Sequence, residues 1–135
     1  MDEWDWERLK EAAIAARSNA YAPYSQFAVG AAVRTASGAV FVGCNVENAS
    51  YGATLCAERA AMASAVAAGE RDLIAIAIAT GADRPSPPCG ICRQCLTELA
   101  PNLTIRSFAA GSHDEYSLAE LLPNAFDASQ LEPPG

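Results

Sequence analysis

The sequence predicts an α/β fold in which helices cover both faces of a mixed β-sheet. Helical and strand segments alternate along the 135 residues, an order typical of layered α/β domains. The segment LIAIAIAT is apolar on both of its faces, as expected for a strand with helices above and below it. The length suits a single domain over residues 1–135, with a poorly ordered tail from about residue 128.

The first half of the chain predicts a helix, a hairpin and a second helix. Apolar residues recur at helical spacing from about residue 4 to residue 20. The β-rich runs FAVGAAVRT and AVFVGCNVE are separated by a SerGly turn, which is typical of a hairpin. The second helix is TLCAERAAMASAVAAG, with Thr54 as its expected N-cap and Gly69 as its C-terminal stop.

The second half continues the alternation. After LIAIAIAT, the breaker-rich loop GADRPSPPCG leads into a third helix, ICRQCLTELA, which must end before Pro101. LTIRSF predicts a further strand, EYSL is a candidate for another, and AELLPNAFD predicts a short final helix or turn. The alternation therefore holds to the end of the chain.

Charge and composition exclude several classes of partner. The net charge is -7 and the nine Lys and Arg residues are scattered, which disfavours nucleic acid and strongly anionic ligands. No apolar run is long enough to span a bilayer, and the N-terminal MDEWDWERLK is acidic and amphipathic, unlike a signal peptide. We therefore expect a cytoplasmic protein with a small-molecule ligand and neither a nucleic acid nor a membrane partner.

The cysteines indicate a metal site. Their number is five, which is odd, and no export signal precedes them, so a disulfide framework is not expected. The CxxC in PCGIC lets both sulfurs meet one tetrahedral ion, but alone it also fits a redox dithiol, half of a structural zinc site, or two buried cysteines. The sole histidine, His113, lies in the polar turn GSHDE, where a solvated position is expected.

The best candidate ligand set is Cys56, Cys89 and Cys92. Three protein ligands leave the fourth tetrahedral position for water, which is the arrangement of a catalytic zinc. Cys44 lies within a strand, and Cys95 shares a helix face with core leucines, so we expect both to be buried structural residues.

The start of the second helix brings three chemical groups together. Side chains in a first turn tilt toward the helix N-terminus, so Cys56 and Glu58 can both approach a ligand off the end of the axis. We expect Cys56 to bind the ion and Glu58 to reach its water. Two helix dipoles and Arg59, acting on the cysteine sulfurs, would offset the excess charge of three thiolates around Zn²⁺.

These motifs resemble those of the cytidine deaminase family. The combination of a Cys, one residue, a Glu and then PCxxC is the signature of zinc deaminases. The likeness runs from about residue 21 to residue 126 and includes YAPYSQFAVGAA, GCNVENASYG, CAER, PCGICRQ and LLPNAF. It is strongest with the short, homotetrameric type that has three cysteine ligands.

The resemblance implies a three-layer α/β/α fold with a mixed central sheet of about five strands. It also implies one Zn²⁺ per chain and conversion of cytidine and 2′-deoxycytidine to the uridines in pyrimidine salvage. Glu58 would take the proton of the attacking water, deliver it to ring N3 and help ammonia leave.

The resemblance assigns the remaining site residues as well. Asn45 and Glu47 would bind the ribose hydroxyls. Phe27 would lie against the pyrimidine, and the backbone of Ala57 would touch the base. Two further aromatic residues, Tyr51 near the subunit contacts and Phe126 reaching into a neighbour's pocket, would make the pocket complete only in the homotetramer.

Two alternative functions stay open. One is a deaminase of another aminopyrimidine, such as blasticidin S, although the NVEN segment favours ribose recognition. Within this class, a deaminase that edits polynucleotides fits the acidic charge of the chain still less. The other is a non-catalytic zinc or redox module, which would not need Glu58.

Overall fold

The described part of the chain forms a five-stranded sheet flanked by helices. The computed structural model describes residues 1–131 and 133, and three tail positions, Glu132, Pro134 and Gly135, lie outside the described residues. The elements are α1 (Glu3–Arg17), β1 (Val29–Thr35), β2 (Val40–Cys44), α2 (Ala57–Ala67), β3 (Leu73–Thr80), α3 (Gly90–Leu99), β4 (Thr104–Ala109), β5 (Ser112–Ser117) and α4 (Leu118–Leu121). Strand order is β2-β1-β3-β4-β5; β3 and β4 are parallel and the other pairs are antiparallel, so the predicted mixed sheet is confirmed.

Helices cover both faces of this sheet because β3 is apolar on both sides. Ile76 and Ile78 join a core with residues of α2, α3 and α4. Alanines of β3 face the other way, into a second core that includes Trp6 and Leu9 of α1. Small residues on this side let α1 lie close to the sheet. The three-layer architecture is therefore confirmed.

Helix α2 begins later than the sequence predicts. Its N-cap is Cys56 and not Thr54, whose hydroxyl instead accepts a hydrogen bond from the backbone N–H of Asn48 at 3.2 Å. The reason is a two-way backbone pairing of Leu55 with Val46, both N–H···O bonds at 2.9 Å, which keeps Leu55 extended. The end of α2 is as predicted, because Gly69 has φ of 89° and closes the helix.

The remaining differences from expectation are small. The fifth strand starts at Ser112, before the predicted EYSL, and pairs along the whole of β4. Cys44 and Cys95 are half-buried and not fully buried as predicted, since β2 is an edge strand and Cys95 lies beside the buried face of α3. A short 3-10 helix, Ala128–Leu131, begins the tail, and the prediction of poor order at its end falls on Glu132, Pro134 and Gly135, which lie outside the described residues. Within the described residues, no helix is both long and apolar enough to traverse a bilayer.

Candidate metal centre and substrate pocket

Three thiols meet where two helices begin. Cys56 is the N-cap of α2 and Cys89 is the N-cap of α3, while Cys92 lies one turn further along α3 and is fully buried. The three sulfur atoms all lie within 4.8 Å of one another, and the Sγ atoms of Cys56 and Cys89 are 3.9 Å apart. The structure therefore brings together the whole ligand set predicted from the sequence.

The cluster has the dimensions of a zinc site. With Zn–S bonds of about 2.3 Å, two sulfurs of a tetrahedral site lie roughly 3.8 Å apart. The observed separation of Cys56 and Cys89 matches this value closely. Three soft thiolate donors are the chemistry that zinc prefers, and they leave one position for a non-protein ligand.

The local electrostatics favour a thiolate at Cys56. A hydrogen bond from the Cys92 thiol, together with Arg59, lowers the pKa of Cys56 to about 5. The pKa of Cys92 is raised in turn, because its thiol is held as the donor to Cys56 and because it is buried. The Nη2 atom of Arg59 donates to Cys56 Sγ at 3.5 Å and to the Thr54 carbonyl at 3.1 Å, so this cation lies against the cluster.

Glu58 lies in the first turn of α2 beside the thiols. It is buried, and burial raises the pKa of its carboxyl above the ordinary value. The residue lines the same pocket as Cys56, Cys89 and the fully buried Ala57. A buried carboxyl with a raised pKa beside a cluster of thiols is suited to general acid and base work.

The pocket wall also contains the residues predicted to bind the sugar and the base. Phe27, Asn45 and Glu47 all line the pocket. Phe27 is 41% exposed, so it is a pocket residue and not the core residue that its strand position alone indicates. Val46, which lies between Asn45 and Glu47 in the chain, pairs with Leu55, the residue before Cys56. This pairing holds the wall beside the three-thiol cluster.

Two of the predicted substrate-binding residues lie outside this pocket. Tyr51 is 76% exposed and lines an adjoining groove, where it packs edge-on against Tyr24 with ring centroids 6.2 Å apart. Phe126 is 57% exposed and its backbone carbonyl accepts a hydrogen bond from the side chain of Gln94 at 2.8 Å. His113 is exposed on β5 beside Phe108, as expected for a residue with no role in the metal cluster.

Comparison with known proteins places the chain in a family. Residues 3–106 match the family model described as "Cytidine and deoxycytidylate deaminase zinc-binding region". The chain belongs to the cytidine and deoxycytidylate deaminase family. Zinc binding is a property of this family, and the three clustered thiols are the side chains that could hold the ion, so the predicted cofactor is confirmed.

Individual members of this deaminase family are similar over nearly their whole length. The cytidine deaminase of Halalkalibacterium halodurans is 47% identical over 129 residues, covering 94% of this chain and 98% of that protein. That of Mycobacterium tuberculosis is 41% identical over 131 residues, covering 97% and 96%. The crystal structure of cytidine deaminase from Burkholderia pseudomallei has a TM-score of 0.87 at 50% identity, covering 93% of this chain and all of that one.

The deaminase pocket includes residues that sequence reasoning missed. Ser25, Thr54 and Ser86 line it; Thr54 was expected only as a helix N-cap, and the two serines were not singled out. Arg93 of the CRQ motif also has a structural role that the motif did not indicate. Its guanidinium donates to the carbonyls of Pro88 at 2.7 Å and Leu121 at 3.0 Å, which ties the metal-binding loop to the C-terminal segment.

Proposed function

We propose that this protein is a zinc-dependent cytidine deaminase, which hydrolyses cytidine and 2′-deoxycytidine to uridine and 2′-deoxyuridine with release of ammonia. The observation that carries the proposal is that the buried Glu58 lines one pocket together with Cys56 and Cys89, two members of the three-thiol cluster. A metal site with a free position, next to a carboxyl that can exchange protons, is suited to adding water to a ring carbon and removing ammonia.

Glu58 carries the proton transfers in this proposal. Zinc bound by the three thiolates supplies Lewis acidity that makes water a good nucleophile near neutral pH. Glu58 accepts the proton of the attacking water and donates it to ring N3 while C4 is attacked. It then takes the proton of the hydroxyl now on C4 and passes it to the amino group, so that the C4–N bond breaks, ammonia leaves and the C4 carbonyl forms. Its burial supports this double role, because a raised pKa makes both acceptance and donation possible.

Arg59 and the helix N-termini support the ligand cysteines. The Arg59 side chain donates to Cys56 Sγ, and a hydrogen bond to a ligand sulfur reduces the charge that the sulfur places on the ion. Both α2 and α3 also direct their positive ends at the cluster, with Cys56 and Cys89 at the N-caps. This arrangement offsets the negative charge of three thiolates.

The wall of Phe27, Asn45 and Glu47 is proposed to recognise the nucleoside. Phe27 offers an aromatic ring for the pyrimidine, and the buried Ala57 at the start of α2 offers its backbone to the base. Glu47 and Asn45 offer acceptors and donors for ribose hydroxyls. Among the described residues that line the pocket, none is Lys or Arg, and two are Glu. A neutral nucleoside therefore fits better than a phosphorylated nucleotide.

The assembly and cellular setting are proposed from the family likeness. Tyr51 and Phe126 are exposed aromatic residues outside the pocket, which is consistent with burial against other subunits in a homotetramer. We propose one domain over the chain, a cytoplasmic location and a role in pyrimidine salvage.

One set of absorbance measurements tests this function. Purified zinc-loaded protein is mixed with cytidine, 2′-deoxycytidine, free cytosine and blasticidin S, and the loss of the aminopyrimidine band is followed. We expect rapid change with the two nucleosides and little with the other two compounds. Preference for blasticidin S would favour an antibiotic deaminase. No change with any of the four would favour a non-catalytic zinc or redox module.

A further inference from the structure

The turn before β1 has a strained backbone at the pocket mouth. Gln26 has φ of 60°, a left-handed conformation that costs a non-glycine residue roughly 1 kcal/mol or more. Its backbone N–H donates to the Ala22 carbonyl at 3.1 Å, and its side-chain amide donates to the Pro23 carbonyl at 3.0 Å. These bonds hold the turn, and the next residue is Phe27, whose ring lines the pocket.

The same turn binds the carboxylate of Glu47, although the two are more than twenty positions apart in sequence. Glu47 Oε1 accepts the backbone N–H groups of Tyr24 at 2.9 Å and Ser25 at 3.1 Å. The Ser25 hydroxyl donates to the other oxygen, Oε2. Three donors therefore fix the orientation of this carboxylate and keep it ionised.

The Ser25 hydroxyl joins Glu47 to Phe27. While its proton is committed to Glu47, its oxygen accepts the backbone N–H of Phe27 at 3.0 Å. The carbonyl of Phe27 accepts a hydrogen bond from the Asn45 side chain at 2.8 Å, so the aromatic residue is held on both sides. All four residues line the pocket.

We propose that Ser25 is a positioning residue that fixes Glu47 for recognition of the sugar and, through the backbone of Phe27, the aromatic ring that contacts the base. A hydroxyl has one donor and two acceptor sites, and here it serves both neighbours at once. Glu47 Oε2 retains capacity for a further donor, such as a sugar hydroxyl. This inference rests on the proposed nucleoside deaminase activity, and it assigns Ser25 no part in the proton transfers.

The test compares Ser25→Ala with wild type on two substrates. For cytidine, we expect KM to rise about tenfold, because one hydrogen bond to a charged group is lost and two binding residues are freed. The kcat should change by less than about threefold, since Glu58 and the cysteines are untouched. 2′,3′-Dideoxycytidine lacks the hydroxyls that Glu47 would bind. For this substrate, the rise in KM caused by Ser25→Ala should be much smaller than for cytidine.

Two controls make the comparison specific. Ser18→Ala removes a hydroxyl that donates to the Ala15 carbonyl at 2.6 Å at the end of α1, away from the pocket, and should leave both KM values unchanged. Ser25→Thr keeps the hydroxyl and should restore most of the cytidine affinity. If Ser25→Ala does not fold, Ser25→Cys weakens the same bonds while keeping the side-chain shape and gives the same comparison.

The outcomes separate this inference from the proposed function. An unchanged KM for cytidine, or an equal rise in KM for both substrates, would overturn the role of Ser25 while leaving the proposed deaminase activity intact. A loss confined to kcat would also overturn it. Wild-type protein that does not deaminate cytidine would overturn the proposed function itself.

Discussion

Replacement of Gly43 by Ala should move helix α2, which carries Glu58. Gly43 lies in β2, under the first turns of α2, and a Cβ added there would lie 2.4 Å from the backbone nitrogen of Ala61. It would also lie 2.6 Å from the carbonyl oxygen of Ala57 and 2.7 Å from the Cβ of Ala60. Two of these contacts are with backbone, which cannot turn away as a flexible side chain can.

The size of the effect follows from these distances. Carbon atoms pack at about 3.5 Å or more, so α2 must withdraw by about 1 Å. Overpacking of this kind costs about 1–3 kcal/mol of unfolding free energy. The same displacement acts on Glu58, and a misplacement of about 1 Å can lower the rate about 100-fold. We therefore expect Gly43→Ala to lose both stability and kcat/KM.

Urea unfolding and steady-state cytidine turnover measure the two effects. Gly52→Ala is the matched control, because nothing lies within 4 Å of a Cβ built at that glycine, and it should behave as wild type. The reasoning is refuted if Gly43→Ala unfolds within about 0.5 kcal/mol of wild type and keeps its kcat/KM. That result would mean that α2 does not lie against β2 as described.

Three further predictions concern the core, a surface ion pair and the assembly. Leu96→Ala removes a fully buried side chain of α3 and should lower the unfolding free energy by about 2–5 kcal/mol in urea titrations. The hydrogen bond from Arg106 lowers the pKa of Glu3, so ionised Glu3 stabilises the fold above its unfolded pKa and this contribution is lost as pH falls through the lower folded value. The stability difference between wild type and Glu3→Gln should therefore shrink as pH falls below 4.5, and a difference that grows instead would reverse the assigned sign. Phe126→Ala should weaken nucleoside affinity without loss of zinc, checked by KM and elemental analysis, and an unchanged KM would contradict the shared pocket.

The three-layer fold can be predicted from the sequence because the hydrophobic pattern of each segment is a local property. The apolar residues on both faces of 73–80 indicate a central strand, and β3 is indeed the middle strand of the sheet. The start of α2 was predicted wrongly for a non-local reason. Thr54 is a good N-cap by residue type, but the pairing of Leu55 with Val46, a tertiary contact, keeps that segment extended.

The three cysteines of the metal site could be predicted from the sequence, whereas the hydrogen bonds that orient the pocket residues could not. With one histidine, and with a second CxxC, Cys92 to Cys95, that only overlaps the first, few ligand sets remained, and Cys56, Cys89 and Cys92 were the best of them. Bonds such as the one between Ser25 and Glu47 join distant positions through side chains common on any surface. The exposed position of Phe27 likewise depends on the conformation of the preceding turn.

The central claim is that a buried carboxyl moves protons beside a zinc ion held by three thiolates. Its most direct test is the turnover of cytidine by Glu58→Gln, measured on protein whose zinc content is determined in the same preparation. The substitution keeps the side-chain size and leaves the three cysteines in place, so we expect about one zinc per chain and a loss of at least about 100-fold in kcat. A zinc-loaded variant that turns over cytidine at the wild-type rate would contradict the account.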